Sequence, residues 1–401
     1  MNKYRMHRPL GAGLSGAIAL ALILGPQSVA AEYEGIQVGN LTIGGALRAN
    51  YILGDYPDGD RREWGKGGDF TLDTARINLD YENGPWLGKL EYRWYEGYNM
   101  LHTGWVGYQF DNESQLEVGV TRAPFGPGPW GVSQSWFFDQ HYYLGLSDNM
   151  NLGAKYTMPM GAWTWDFAYF YSDAGSFSGD TEDSARYSYD VVNETGDGYE
   201  ERNQVNVRGI YSIPDTDHEV GFSAQYGELR SRGPQDDGDH FAVSGHMVNS
   251  WGNWTLASQL TYYKMDVDEH TLLDGSVTDR RIDMGAYDFP NTVATEGWIP
   301  AVSLSYYHET PNIGWLDYVI PYAEFSSVVK SESDFNNSDL LVLGAAWGRG
   351  NWYIYTDLAY SNGNEFVGGN RGGDNPFGDR LGANDDDNWE ARFNINFGYY
   401  F

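Results

Sequence analysis

Hydrophobic and polar residues alternate with a period of two along most of this chain, and the C-terminus shows the pattern most cleanly. From Trp389 to Phe401 the odd positions are Trp389, Ala391, Phe393, Ile395, Phe397, Tyr399 and Phe401. The even positions are Glu390, Arg392, Asn394, Asn396, Gly398 and Tyr400. Successive side chains of a strand point to opposite faces, so this segment has one apolar and one polar face. Its length is that of a tilted strand crossing a bilayer. Upstream, Leu41, Ile43, Leu47, Ala49 and Tyr51 oppose Thr42, Arg48 and Asn50. Ala75, Ile77, Leu79 and Tyr81 oppose Arg76, Asn78 and Asp80, and Leu90, Tyr92 and Trp94 oppose Lys89, Glu91 and Arg93. The run from Trp163 to Tyr171, the face Val205, Val207 and Tyr211 against Gln204, Asn206 and Arg208, and the run from Trp352 to Tyr360 repeat it.

Connections alternate in length. Short ones rich in turn residues fall at 82–85, 111–114, 159–161, 214–217, 251–253, 311–314 and 348–350. Long polar ones fall near 53–69, 124–150, 173–200, 231–239, 266–295, 330–337 and 362–388, with one further tight loop near 96–102. Short turns on one side and long loops on the other describe an outer-membrane barrel. The segments predict an all-β fold: a transmembrane antiparallel β-barrel of about 16 strands, wide enough for an aqueous channel. Strand ends between 240 and 330 are the least sharply marked.

Composition agrees. Gly at 51 and Tyr at 31, against Pro at 15, favour strands and turns over helices. Residues 1–31 read as a secretory signal: Lys3, Arg5 and Arg8, an apolar run from Ala17 to Leu24, a break at Gly25-Pro26, and small residues Val29-Ala30-Ala31 before Glu32. That leaves 32–401 as a single barrel, with 388–401 its last strand. The signal holds three cations and no acid, so its removal takes the formal charge from −31 to −34. Nucleic acid is excluded as a partner for such a surface. With no cysteine in the chain, an exported protein has no disulfide framework to rely on.

Catalytic signatures are missing: there is no Gly-x-Ser-x-Gly elbow and no His-Glu-x-x-His pair. A barrel hydrolase would need a Ser–His pair on the lipid-facing wall, for which His102 and His308 are the only candidates. An enzyme is not expected. Acidic runs at Asp55–Asp60, Asp236-Asp237 with Asp239, and Asp385–Asp387 could hold calcium, but none has EF-hand spacing. They read as solvated loop surfaces, and no cofactor is expected.

The segment with most functional content is the 122–151 loop after the fifth strand. It places three prolines in the six residues from Pro124 and then the aromatic run Trp136-Phe137-Phe138-Asp139-Gln140-His141-Tyr142-Tyr143. Stiff, aromatic sequence calls for something to pack on, which a surface tip would not supply.

Here the chain resembles the phosphate-selective porin O/P family of sixteen-stranded outer-membrane porins. The carrying residues are Val118–Gly126, Tyr142–Asp148 into Leu152–Tyr156, Ile320–Phe325, and Leu343–Trp347 followed by Trp352–Asp357. The ending Phe397, Tyr399, Phe401 is similar to the terminal assembly signal of bacterial outer-membrane proteins, which implies the barrel-assembly machinery as a partner. The resemblance implies a homotrimer in the bacterial outer membrane, in contact with its lipid and lipopolysaccharide. It also implies a third loop that narrows the pore, and a path lined by arginine and lysine. This sequence departs there, since no cation lies between Arg122 and Lys155 while Asp139 and Asp148 do. An acidic constriction, with His141 beside it, would favour cations or neutral solutes. Against that, Arg48, Arg76, Lys89, Arg93, Lys155, Arg208 and Arg392 all fall on the inward face and could make an anion path. The alternative is that they pair across strands with Asp80, Glu91, Asp166 and Glu390 and stiffen the wall. The functional expectation is passive diffusion of small hydrophilic solutes or ions. The competing reading is a plugged barrel serving as adhesin or surface structural protein.

Overall fold

The computed structural model describes residues 35–56, 59–367 and 388–401. The signal segment 1–31, most of the loop 362–388 and the acidic run Asp385–Asp387 lie outside the described residues.

Alternation at a period of two closes into one antiparallel barrel. Its spanning strands are β1 Leu41–Gly54, β2 Asp69–Asn83, β3 Trp86–Trp94, β4 Asn99–Gln109, β5 Gln115–Arg122, β6 Met150–Met160, β7 Trp163–Asp173 and β8 Tyr199–Ser212. They continue as β9 His218–Ser231, β10 Gly238–Trp251, β11 Trp254–Asp266, β12 Glu296–Tyr306, β13 Tyr318–Lys330, β14 Ser338–Arg349, β15 Trp352–Ser361 and β16 Glu390–Tyr400. The short segments Ile36–Val38 and His308–Glu309 complete an 18-stranded sheet, so sixteen strands span. Each pairs with its sequence neighbour, and β16 closes on β1 from Ala46↔Tyr400 to Gly54↔Arg392. Closure leaves no strand edge unpaired, as a lipid environment demands.

The two faces separate as the alternation requires. On β7, Phe167, Tyr169 and Tyr171 are exposed outward, whereas Asp166 and Phe170 are buried inward. On β10, Val243, Met247 and Trp251 face out and His240, Ser244 and His246 face in. Trp86, Trp251, Trp254, Trp352 and Phe401 cluster on the outer surface beside the short turns, as an interfacial girdle would. Those turns are tight: Gly252 and Gly350 take left-handed φ of 58° and 50° in two-residue hairpins, where a side chain would be strained.

One bulge alters the interior. Arg48 pairs with Thr74 but Ala49 pairs with Leu72, so Asp73 is an extra residue in β2. A period-two reading of β2 puts Asp73 with Ala75 and Ile77 on the lipid face. The bulge turns it inward instead.

The tight outer loop falls at 95–98, where Tyr95 N donates to Tyr98 O at 2.9 Å, and β4 resumes at Asn99. Two of the long loops depart from a simple outward course. Asp190–Val191, from the β7–β8 loop, joins Arg281–Ala286 and Phe289–Ala294, from the β11–β12 loop, in a small antiparallel sheet. Val191, Ile282, Met284 and Val293 from this sheet pack with Phe137, Tyr142 and Tyr143 and with inward Tyr263, Ile299 and Val342. Loop sequence therefore fills part of the outer half of the barrel.

Candidate pore lining and third loop

Residues 123–149 leave β5 and run inside the barrel along the opposite wall, held there by hydrogen bonds. Gly126 N donates to Ser223 Oγ of β9 at 3.0 Å, and Arg208 of β8 donates to Gly126 O at 3.3 Å. Glu324 of β13 accepts from Ser133 Oγ at 2.6 Å and from Gln134 N, while Asp357 of β15 accepts from Trp136 N at 3.1 Å. Gln140 N donates to Ser326 Oγ, and its side-chain amide donates to Ser338 O, both at 3.1 Å. Arg392 of β16 lies 4.8 Å over the Trp136 ring and 5.3 Å over Phe137. The aromatic run thus packs on the wall and on itself, Phe138 stacking on Tyr142 at 4.2 Å.

Both acids of this loop are structural braces. Asp139 accepts from Val132 N at 2.9 Å, His141 N at 2.8 Å and His141 Nδ1 at 2.8 Å, and His141 Nε2 meets Thr261 Oγ1 of β11 at 2.8 Å. Asp148 pairs with Arg122 at 2.7 Å and accepts from Tyr187 Oη at 2.5 Å. Burial pushes the Asp148 carboxyl up, but Arg122, His102 and the Tyr187 hydroxyl outweigh it and hold it below the usual carboxylate range. Asp139, His141 and Asp148 are 3%, 0% and 2% exposed, so an acidic constriction facing water does not form from them.

The inward cations are likewise engaged. Arg48 meets Asp73 at 2.5 Å, Arg76 and Arg93 share Glu91 at 3.3 and 2.5 Å, and Lys89 meets Asp80 at 3.5 Å. Lys155 meets Glu117 at 3.0 Å and Arg208 meets Asp166 at 2.8 Å. Arg392 donates to Phe366 O at 2.9 Å and to Asn394 at 2.7 Å. Pairing across strands is the arrangement found, with two partners the sequence reading did not name, Asp73 and Glu117. A row of uncompensated cations does not form among these residues.

The assembly residues lie at the seam: Phe401 N and O exchange hydrogen bonds with Gly45 at 3.0 and 2.7 Å. Of the hydrolase candidates, His102 is buried inside against Thr103 at 2.7 Å, and His308 is exposed at the turn end of the barrel. Among the described residues, no group of three or more His, Asp or Glu is placed to hold a metal ion.

Sequence reasoning missed Glu324, Asp357 and Thr261, the wall anchors of the loop. Glu324 carries a readable signal, an acid between Ala323 and Phe325 with no cation opposite it in β12 or β14.

Closed topology, lipid-facing belt and an inner loop after the fifth strand together decide the architecture. The fold is that of the outer-membrane porins. The chain superposes on the outer membrane channel DcaP of Acinetobacter baumannii with a TM-score of 0.57 at 11% identity, covering 92% of this chain and 100% of that one. OmpT of Vibrio cholerae, an outer-membrane-expressed protein, gives 0.56 at 13% identity, with 92% and 100% covered. An anion-selective porin from Comamonas acidovorans gives 0.55 at 11% identity, with 90% and 99% covered. No family model matches the chain, and no curated protein matches it in sequence.

Proposed function

We propose that this protein is a passive outer-membrane porin for small hydrophilic solutes, with the 122–151 loop as its constriction. The observation that carries the reading is the docking of that loop on the inward faces of β8, β9, β11 and β13–β16, inside a closed barrel whose lining is polar. A lumen lined by hydrogen-bonding side chains stays hydrated, and a loop laid across it sets the size of what passes. Outer-membrane location follows from the exterior belt and the porin architecture. A homotrimer is the assembly we infer, as in the trimer form of OmpT.

Charge preference follows from pairing. Each wall cation named above except Arg392 has an acid partner, Arg76 and Arg93 sharing Glu91, so the path is close to compensated. The resemblance to the phosphate-selective O/P porins therefore extends to architecture. A lining whose arginines and lysines are paired suits neutral solutes better than a path dedicated to phosphate.

The competing plugged-barrel reading draws on the loop sheet that packs in the outer half. Liposome swelling separates the two. Vesicles carrying the purified protein swell in arabinose or glucose at rates that fall with solute size if it is a porin. No swelling above protein-free vesicles gives the decision to the plugged barrel.

A further inference from the structure

Four carboxylates crowd one buried arginine where the β7–β8 loop folds into the barrel mouth. Arg186 reaches Asp173 Oδ2, at the end of β7, and Asp190 Oδ2, in the loop sheet, both at 3.2 Å. It also pairs with Asp183 and donates to Asp183 O at 2.7 Å. Glu201 of β8 accepts from Val191 N at 3.0 Å, which sets a fourth acid beside Asp190. Arg202, the next residue of β8, is turned onto Glu200 at 2.6 Å. One guanidinium thus answers four acids, and Arg186, Asp173, Asp190 and Glu201 are all buried. Like charges in such surroundings cannot all ionise cheaply, so the cluster is most stable with a proton on it. Burial pushes the Asp190 carboxyl well above the usual carboxylate range; Glu201 and Asp173 push the same way, against Arg186 and the Asn149 amide.

Other charged and titratable groups around the cluster are engaged. Glu194, in the same loop, accepts from Glu182 N at 2.9 Å and Asp183 N at 3.1 Å. Asp148, at the exit of the third loop, is held by Arg122 and Tyr187. Asp283, across the loop sheet, holds Leu273 N at 3.0 Å and Thr292 Oγ1 at 3.2 Å. Tyr189 donates to Glu365, and Tyr263 to Ala294 O at 3.0 Å. On the wall side Glu201 lines a small cavity with Gln225, His240 and Lys264, and Lys264 pairs with Asp266 at 3.2 Å.

The cluster fastens three segments together. Asn149 donates to Asp190 Oδ1 at 2.8 Å, Met150 N donates to Ser188 Oγ at 2.6 Å, and Asp190 pairs with Gly285 in the loop sheet. Asp190 and its neighbours therefore tie the β7–β8 loop to the end of the third loop and to the β11–β12 loop. We propose that the Arg186 cluster is a pH-sensitive clasp, which keeps the β7–β8 loop folded into the mouth at acidic and neutral pH and releases it as the medium turns alkaline. A raised folded-state value means that the protonated clasp contributes fully at acidic pH and loses its hold as pH rises through that value. Its effect on passage rests on the channel reading, whereas the clasp itself does not.

Hydrogen exchange on the mature protein in detergent micelles, corrected for intrinsic rates, reads the clasp without needing transport. Protection of residues 183–194 is expected to fall about tenfold between pH 6 and 9, the change that one unit of pKa difference carries. Strands β10 and β11 should stay protected throughout. Asp190→Asn keeps the shape without the charge and should hold the protection level over that range; Glu201→Gln, the second variant, should do the same. In planar bilayers the conductance of the unaltered protein should rise over the same range, and that of Asp190→Asn should not. Equal protection at pH 6 and 9 overturns the proposal. So does a fall that persists in both variants, since the titrating group then lies elsewhere, Asp283 across the sheet included. Level conductance while protection falls overturns the placing of the loop at the mouth. A pH-dependent fall in protein that passes no current upholds the clasp and removes the channel. Current through protein whose 183–194 segment stays protected at pH 9 overturns the clasp and leaves the channel standing.

Discussion

Cutting the anchors of the third loop should open the pore without unfolding the barrel. The perturbation is the double substitution Glu324→Ala with Asp357→Ala. Glu324 holds Ser133 Oγ and Gln134 N, and Asp357 holds Trp136 N, so three loop-to-wall bonds to carboxylates go together. Hydrogen bonds to charged groups contribute about 1.5–3 kcal/mol each. The anchors at Gly126, Gln140 and His141 remain, and neighbouring bonds are not additive. Taking half the summed value gives a shift of about 3 kcal/mol, roughly a hundredfold in the ratio of docked to undocked loop. The barrel ladders keep all their backbone bonds, so the variant should retain β-sheet circular dichroism and its heat-dependent gel migration. Single-channel recording should show a larger conductance or frequent excursions to one, and limited proteolysis should begin to cut between residues 128 and 143. Unchanged conductance and unchanged cleavage in a folded variant would refute the reasoning, because the loop would then be held by something other than these carboxylates.

Other outcomes follow from the same geometry. Asp73→Asn removes the partner of Arg48, so the reversal potential in a salt gradient should move toward anion preference, while Arg48→Gln should move it toward cations. Burial pushes the Asp283 carboxyl, in the loop sheet, up to about 7. A raised folded-state value means that its contribution is complete below about pH 4 and is lost as pH rises through about 7. Hydrogen exchange in residues 267–295, corrected for intrinsic rates, should therefore quicken between pH 5 and 9, and Asp283→Asn should flatten that rise. Deleting Phe401 removes both backbone bonds to Gly45 at the seam, a loss of about 2 kcal/mol. The yield of heat-modifiable barrel in membranes should fall, and a normal yield would show that β16 registers on β1 without it.

Strands and turns were legible because lipid imposes a strict period of two, and a one-residue slip would put Asn394 and Asn396 into hydrocarbon. The loop's inward course was legible in its prolines and aromatics, which would be stranded at a surface tip. Partners were harder. Strict alternation would place Asp73 on the lipid face of β2, the bulge turns it onto Arg48, and no periodicity marks a bulge in advance. Asp139 and Asp148 read as pore charges because a sequence cannot show that Val132 N, His141 and Tyr187 consume them. Asp190–Val191 and its two partner strands went unseen, since short strands inside the barrel have no lipid face and hence no alternation.

The most direct test of a water-filled path through the closed barrel is ion current through purified mature protein in a planar bilayer. Discrete current steps of uniform size are expected, and polyethylene glycols small enough to enter should lower them while larger ones leave them unchanged. Folded barrel that inserts into the bilayer and passes no current would contradict the account.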